Sequence, residues 1–197
     1  MRWDNLFDDL TSQLEQELDS ESALLASEDE RVRIARLPLR DRIVSLVTAR
    51  AAPAGTLRFT LTNGERLRLD PVNIGQDWVA GVIVNSAQVS AQCVLPFSAI
   101  ATLELECTHL ERSLARGGSA SESISARLDF GLVLRDLCRR RCALTLTLAG
   151  GTHHGTIDRV GSDHLDLAVH ERGAARRERD VERFLIVPRN QVLLLRL

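Results

Sequence analysis

The residues best suited to chemistry fall in three groups. His153, His154, Asp163, His164, Asp166 and His170 crowd one stretch of the chain. Imidazole and carboxylate groups at this density suit metal binding or proton transfer. A metal site needs three or four convergent ligands in fixed geometry. On a strand, alternate residues share a face, so His164, Asp166 and His170 point one way while His153 lies opposite His154. Convergence would therefore have to come from neighbouring strands, and exposed strand histidines are the plainer reading. Cys138 and Cys142 flank Arg139, Arg140 and Arg141. That spacing is one residue longer than a Cys-x-x-Cys turn, and no second pair lies nearby. A thiolate beside guanidinium groups would be activated, whereas a buried helix-end thiol would be inert. The third group is the arginines themselves: Arg139, Arg140 and Arg141, then Arg176, Arg177 and Arg179 within the charged stretch 171–180. Guanidinium forks match phosphate oxygens. The same stretch also reads as a solvated loop whose charges neutralise one another.

No Gly-rich phosphate loop, nucleophile elbow or paired-carboxylate signature accompanies these groups. Gly150-Gly151 precedes a strand, not a helix, and so marks a hairpin. The expectation is a non-enzymatic chain, with no catalytic residue, metal, cofactor or small-molecule substrate.

The elements that must position these residues come as a repeat. Leu57-Arg58-Phe59-Thr60-Leu61 leads through Asn63-Gly64 to Gly75-Gln76-Asp77-Trp78 and closes at Val94-Leu95-Pro96-Phe97. Leu144-Thr145-Leu146-Thr147-Leu148 leads through Gly150-Gly151 to Gly161-Ser162-Asp163-His164 and closes at Ile186-Val187-Pro188-Arg189. Alternating strands, a Gly turn, a Gly-x-Asp turn and an ending with Pro recur in the same order. Strands are expected at 56–62, 65–74, 77–84, 90–96 and 99–106, and again at 142–149, 153–160, 163–170, 181–187 and 191–197. Asn63-Gly64 signals a two-residue hairpin. Leu57, Phe59, Leu61, Leu144, Leu146 and Leu148 should face the interior. A helix over 38–51 precedes the first copy, with Pro38 in its first turn. A helix over 126–140 precedes the second, capped by Ser123 or Ser125, with its arginines at the favourable end of the dipole. Gly117-Gly118-Ser119-Ala120-Ser121 marks a linker over 107–125.

All 25 basic residues are arginine; lysine and tyrosine are absent. This pattern follows from a high-GC genome, so the arginine count alone says little about nucleic acid. The net charge of −2 conceals a strong asymmetry. Residues 1–30 hold ten Asp or Glu against one Arg, whereas 31–50 hold six Arg against Asp41. Leu6, Phe7, Leu10, Leu14 and Leu18 make an apolar stripe on an acidic helix over 3–27, which the polar run Glu28-Asp29-Glu30-Arg31 should end. This helix either packs on the rest of the chain or serves docking and dimerisation. The acidic start lacks the apolar segment of a signal peptide, and no apolar run has the roughly 18 residues of a membrane span. A cytoplasmic location with reduced cysteines is expected.

A helix followed by five short antiparallel strands resembles the Sm/LSm-like (SH3-like) small barrel, over residues 38–106 and 126–197. The chain is also similar to an uncharacterised actinobacterial family with an N-terminal acidic helix that often begins Met-Arg-Trp-Asp, here Met1-Arg2-Trp3-Asp4. Sm-like proteins bind RNA by stacking a base on one side chain beside an Asn. The resemblance places His164 and Trp78 at the stacking position, with Asp166 and Ala80 in place of the Asn, and Pro96-Phe97 and Pro188-Arg189 in place of the closing Arg-Gly. An aspartate at that point repels phosphate.

The expected architecture is thus mostly β: an acidic helix (1–30), a helix and first five-stranded barrel (31–106), a linker (107–125), and a helix and second barrel (126–197). The copies should pair through edge strands as a pseudo-two-fold. Two functions fit. One is an interaction or assembly module near RNA or DNA, binding weakly and without sequence preference through Arg139, Arg140, Arg141, Arg176, Arg177 and Arg179, with His164 and Trp78 as stacking candidates. The other is a protein-only adaptor that docks partners or itself through the acidic helix and the barrel surfaces. No membrane partner is expected.

Overall fold

The computed structural model describes residues 3–48, 56–84, 91–115, 124–173 and 177–197. Its contacts divide the chain into two units, Met1–Leu39 and Arg40–Leu197.

The first unit is built on one helix, α1 (Trp3–Ala35). It runs eight residues beyond the expected end at 27. The run 28–31 does not break it, because its charges stand at helical spacing. Glu30 accepts from Arg33 Nε at 2.8 Å, and Glu28 lies 3.6 Å from Arg31. Acid-to-base pairs three residues apart support a helix instead of interrupting it. Leu14, Leu18, Leu25 and Val32 are exposed along it.

The second unit carries the repeat. Helix α2 (Leu39–Thr48) precedes strands β1 (Leu57–Leu61), β2 (Arg66–Ile74), β3 (Trp78–Ile83), β4 (Gln92–Pro96) and β5 (Ile100–Glu104). Helix α3 (Cys107–Leu114) follows, in the span expected to be a linker. Arg42 Nη2 donates to Ser113 Oγ at 2.9 Å, tying α3 to α2. The glycine-rich stretch 117–121 lies outside the described residues. Helix α4 (Phe130–Arg139) opens the second copy. Its cap is Asp129, not Ser125, which sits in a short 3-10 turn, and Ser123 is outside the described residues. Asp129 Oδ1 accepts from the Leu132 N–H at 2.8 Å, as a short acceptor at the N-cap should. Strands β6 (Ala143–Leu148), β7 (Gly151–Val160), β8 (His164–Val169), β9 (Arg183–Pro188) and β10 (Val192–Arg196) complete it.

The two copies match in detail. A bulge interrupts β2–β3 between Pro71 and Asn73, and the same bulge interrupts β7–β8 between Ile157 and Arg159. The residue left out of the ladder is Val72 in the first copy and Asp158 in the second. Gly75 N–H donates to the Trp78 carbonyl, and Gly161 N–H to that of His164, both at 2.9 Å. A 3-10 turn follows each closing proline, at Phe97–Ala99 and Arg189–Gln191. The first hairpins differ. Leu61 and Glu65 pair across the three residues Thr62-Asn63-Gly64, with Gly64 at φ +84. The expected two-residue turn is thus replaced by a three-residue loop in which only the glycine is left-handed.

The expectation of two closed barrels does not hold. All ten strands form one open antiparallel sheet, in the order β5-β1-β2-β3-β4-β10-β6-β7-β8-β9. Within each copy the fourth and fifth strands do not pair. Instead β4 pairs with β10, placing Leu195 opposite Val94 and Arg196 opposite Cys93. Nor is the join two-fold. A two-fold pairs like with like, whereas here the fourth strand of one copy meets the fifth of the other, which is a head-to-tail contact.

Two cores straddle the join. One gathers Phe59, Leu61, Leu69 and Leu95 with Leu193 and Leu194 of β10. The other gathers Leu134, Leu144, Leu146, Ile157 and Leu165 with Trp78 and Val94 of the first copy. Of the residues expected inside, Leu57, Phe59, Leu61, Leu144 and Leu146 are buried, and Leu148 packs partly buried against the second core.

Candidate interaction surface

The join shows how this sheet makes contacts. The turn Gly75–Trp78 reaches from the first copy to the start of α4. Trp78 Nε1–H donates to the Leu128 carbonyl at 2.9 Å, and Gln76 N–H donates to the same oxygen at 3.0 Å. Asp77 Oδ1 accepts from Phe130 N–H at 2.7 Å. That carboxylate satisfies a first-turn donor and complements the helix dipole. Across the strands, Arg196 Nη1 donates to Thr147 Oγ1 at 3.1 Å, and its Nη2 pairs with Glu65. The turn 97–99 packs against β10 and against the turn 189–191.

Trp78, expected at a stacking position, is therefore a core residue of the join, 6% exposed. Its ring covers Gly75 so closely that a Cβ there would lie 2.2 Å from the indole. His164 holds the matching place over Gly161 but is exposed. Its Nδ1 lies 2.8 Å from Asp163 Oδ1. The hydrogen bond from His164 holds the Asp163 carboxyl below its usual range. Asp166 faces Arg159, 3.7 Å away.

The arginine run at the end of α4 is engaged locally. Asp136 binds Arg139 at 2.6 Å and Arg140 at 2.7 Å, and these contacts hold its carboxyl below the ordinary range. Arg141 adopts φ +52, a left-handed conformation that usually falls to glycine. Cys142 N–H donates back to the Leu137 carbonyl at 3.2 Å, ending the helix. Arg141 Nη1 meets Asp158 Oδ1 at 2.8 Å, which fastens the helix end to β7. Arg177 and Arg179 are exposed, with Arg179 3.6 Å from Asp180. Arg176 lies outside the described residues.

The histidines sort differently from the sequence grouping. His170 pairs with His154 across the end of β7–β8, not with His164, which lies at the far end of β8. The two rings meet edge to face at 5.4 Å. Carbonyls only accept, so the contact of His170 Nδ1 with the Glu171 carbonyl at 3.0 Å fixes the proton on Nδ1. Its Nε2 then accepts from Thr156 Oγ1 at 2.9 Å. His154 Nδ1 lies 3.1 Å from Thr145 Oγ1, and its Nε2 is buried with no hydrogen-bond partner among the described residues. Burial first, then the neighbouring His170 and Arg172, pushes the His154 imidazole below its ordinary range. Among the described residues no three His, Cys, Asp or Glu side chains converge as a metal site would need. Cys93 is buried and its thiol is pushed up to about 12 by that burial. Cys138 Sγ faces the Asp158 carbonyl at 3.3 Å.

What sequence reasoning missed is the free flank of β9. Phe184 and Ile186 stand exposed on it. Ile186 also lines a shallow, open depression with Leu148, His153, Leu185, Pro188 and Gln191. Among the described residues the sheet therefore ends at β5 and β9, each paired on one side only. Among the described residues no helix is long and apolar enough to cross a membrane. Comparison with protein-family models, curated proteins and solved structures finds no match.

Proposed function

We propose that this chain is a non-enzymatic assembly module, built on two Sm-like units and working through protein contacts alone. The observation that carries this reading is the outer edge of β9, which has no strand partner among the described residues and carries exposed Phe184 and Ile186 beside a shallow depression. An edge of this kind is a template for an added strand unless it is covered. The exposed apolar positions along acidic α1 offer a further protein-binding stripe. The alternative, weak nucleic-acid binding, has less support. Arg139, Arg140 and Arg141 each meet a carboxylate, and Trp78 is buried.

Fluorescence anisotropy with labelled single-stranded RNA and duplex DNA at low ionic strength tests the choice, because phosphate contacts are strongest there. No binding is expected. Binding that is lost when Arg176, Arg177 and Arg179, or Arg139, Arg140 and Arg141, become Gln would overturn the protein-only reading.

A further inference from the structure

We propose that the basic face of β1 and β2, carrying Arg58, Arg66 and Arg68, receives the acidic helix α1 of a second copy, each copy giving its helix to the other. The inference rests on the protein-contact reading and names its partner.

The face is set by register. Arg58 stands directly opposite Arg68, and Thr60 opposite Arg66, so the three arginines share one side of the β1–β2 ladder. All three are exposed, while Leu57, Phe59, Leu61, Leu67 and Leu69 between them are buried on the other side. Among the described residues no ion pair or side-chain hydrogen bond engages any of the three. Like charges directly opposite each other on a sheet repel, so the Arg58–Arg68 pair costs stability in the isolated chain. The second copy shows the same ground without that cost. Thr145 faces His154 and Thr147 faces Thr152 at the matching positions. Thr145 and Thr147 are buried, and guanidinium groups from elsewhere in the chain reach over them. Arg172 Nη2 donates to Thr145 Oγ1 at 3.4 Å, and Arg196 Nη1 to Thr147 Oγ1 at 3.1 Å. One copy thus has this face satisfied, whereas the other presents three cations to solvent.

The matching anion belongs to the same sequence. Residues 1–30 hold ten Asp or Glu against one Arg. Glu21, Glu28 and Asp29 stand three or four residues from Leu18 or Leu25, so carboxylates and leucines share one face of α1. These acids and leucines are exposed in the single chain, as the three arginines are. Neither surface is covered within one copy, so the complement of each comes from another. The leucines find apolar ground as well. Val84 is exposed beside Arg68, and its N–H donates to the Arg68 carbonyl at 2.8 Å. Arginine stems pack against apolar side chains while their guanidinium groups meet carboxylates. A long phosphate backbone fits this face less well. Glu104 lies opposite Arg58, and Asp70 follows Arg68 on the same side of β2, so the basic ground ends at both. Those acids repel a polyanion that runs past the patch. Each copy has one such helix and one such face, so a two-fold exchange satisfies both and closes as a dimer.

Sedimentation velocity on the full chain at low ionic strength should show a monomer–dimer equilibrium. It should weaken as salt is raised towards 1 M, where charges are screened within about 3 Å. Two charge-reversed chains make the test specific. One carries Arg58→Glu, Arg66→Glu and Arg68→Glu; the other carries Glu21→Arg, Glu28→Arg and Asp29→Arg. Each alone should be monomeric at every concentration, because its helix and its face now bear like charge. Mixed in equal amounts they should dimerise again. The reversed helix then meets the reversed face, and the unchanged helix meets the unchanged face. All six positions are exposed, so circular-dichroism spectra should match the wild type. Rescue on mixing also excludes misfolding as the cause of lost association. A wild type that stays monomeric at every concentration overturns the inference. So do reversals that leave the dimer intact, or a mixture that fails to dimerise. Labelled RNA separates this inference from the reading beneath it. RNA binding that is lost with Arg58→Glu, Arg66→Glu and Arg68→Glu would mean that the face takes phosphate, and would overturn both. A monomer that binds no RNA overturns this inference alone.

Discussion

Trp78 donates its indole N–H to the carbonyl of Leu128, so the first copy's turn anchors the chain entering the second copy's helix. The same carbonyl accepts from Gln76 N–H. Removing the indole donor therefore leaves the acceptor satisfied. Trp78→Phe should cost about 1 kcal/mol, the net worth of one hydrogen bond. Trp78→Ala should cost about 3–5 kcal/mol, as truncation of a buried aromatic does. Urea denaturation followed by circular dichroism checks both.

Gly75 and Gly161 occupy the same turn but should respond differently to alanine. A Cβ on Gly75 would sit 2.2 Å from the Trp78 ring, which is locked in a core. A Cβ on Gly161 would sit 2.5 Å from His164 Cε1, the end of an exposed side chain that can swing aside. Gly75→Ala should cost roughly 1–3 kcal/mol through overpacking. Gly161→Ala should fall within about 0.5 kcal/mol of wild type. Denaturation midpoints of the two variants test the asymmetry.

His154 makes stability fall on mild acidification. Its folded imidazole titrates below the ordinary value, so the unfolded chain takes up the proton first. The stabilisation is therefore complete above the unfolded value of about 6.5 and is lost as pH falls from there through the folded value. The urea midpoint should drop between neutral pH and the acid side of that window. In His154→Gln the drop should be smaller.

Arg141 holds a left-handed residue at the end of α4. Arg141→Gly relieves that conformation and gives up an exposed ion pair with Asp158, worth at most about 1 kcal/mol. It should leave stability unchanged or slightly raised. Arg141→Val keeps the strain, adds β-branching and loses the pair, and should cost about 1–2 kcal/mol. Thermal melts of the two variants provide the comparison.

The repeat was legible because strand alternation, Gly-x-Asp turns and paired prolines are local signals. So were the buried leucines of β1 and β6, whose neighbours alternate with them. Other features were not legible, for identifiable reasons. α3 was hidden in a span dominated by the glycines after it, although Cys107, Leu110 and Leu114 keep helical spacing. The end of α1 was misplaced because Glu28 to Arg33 reads as polar coil until its charges are paired three residues apart. The join was invisible because Val94 and Ile186 are equally apolar. Periodicity tells which face of a strand wants burial, but not which edge finds a partner. For the same reason Trp78 read equally as a stacking aromatic and as a core one, and only the structure, which buries it, decides between them.

The placement of β10 bears on the order in which this sheet can form. It is the last strand along the chain, yet it lies in the middle of the ten, and its leucines enter both cores. The first copy, complete in its own five strands, still lacks Leu193 and Leu194 until the whole second copy has been made. The core of this unit is thus completed only when β10 arrives, and its pairing with β4 closes a loop of roughly one whole repeat. Such long-range pairing slows folding by raising contact order. It also leaves the outer edge of β4 without its partner strand until synthesis reaches β10, a transient edge open to pairing with another chain.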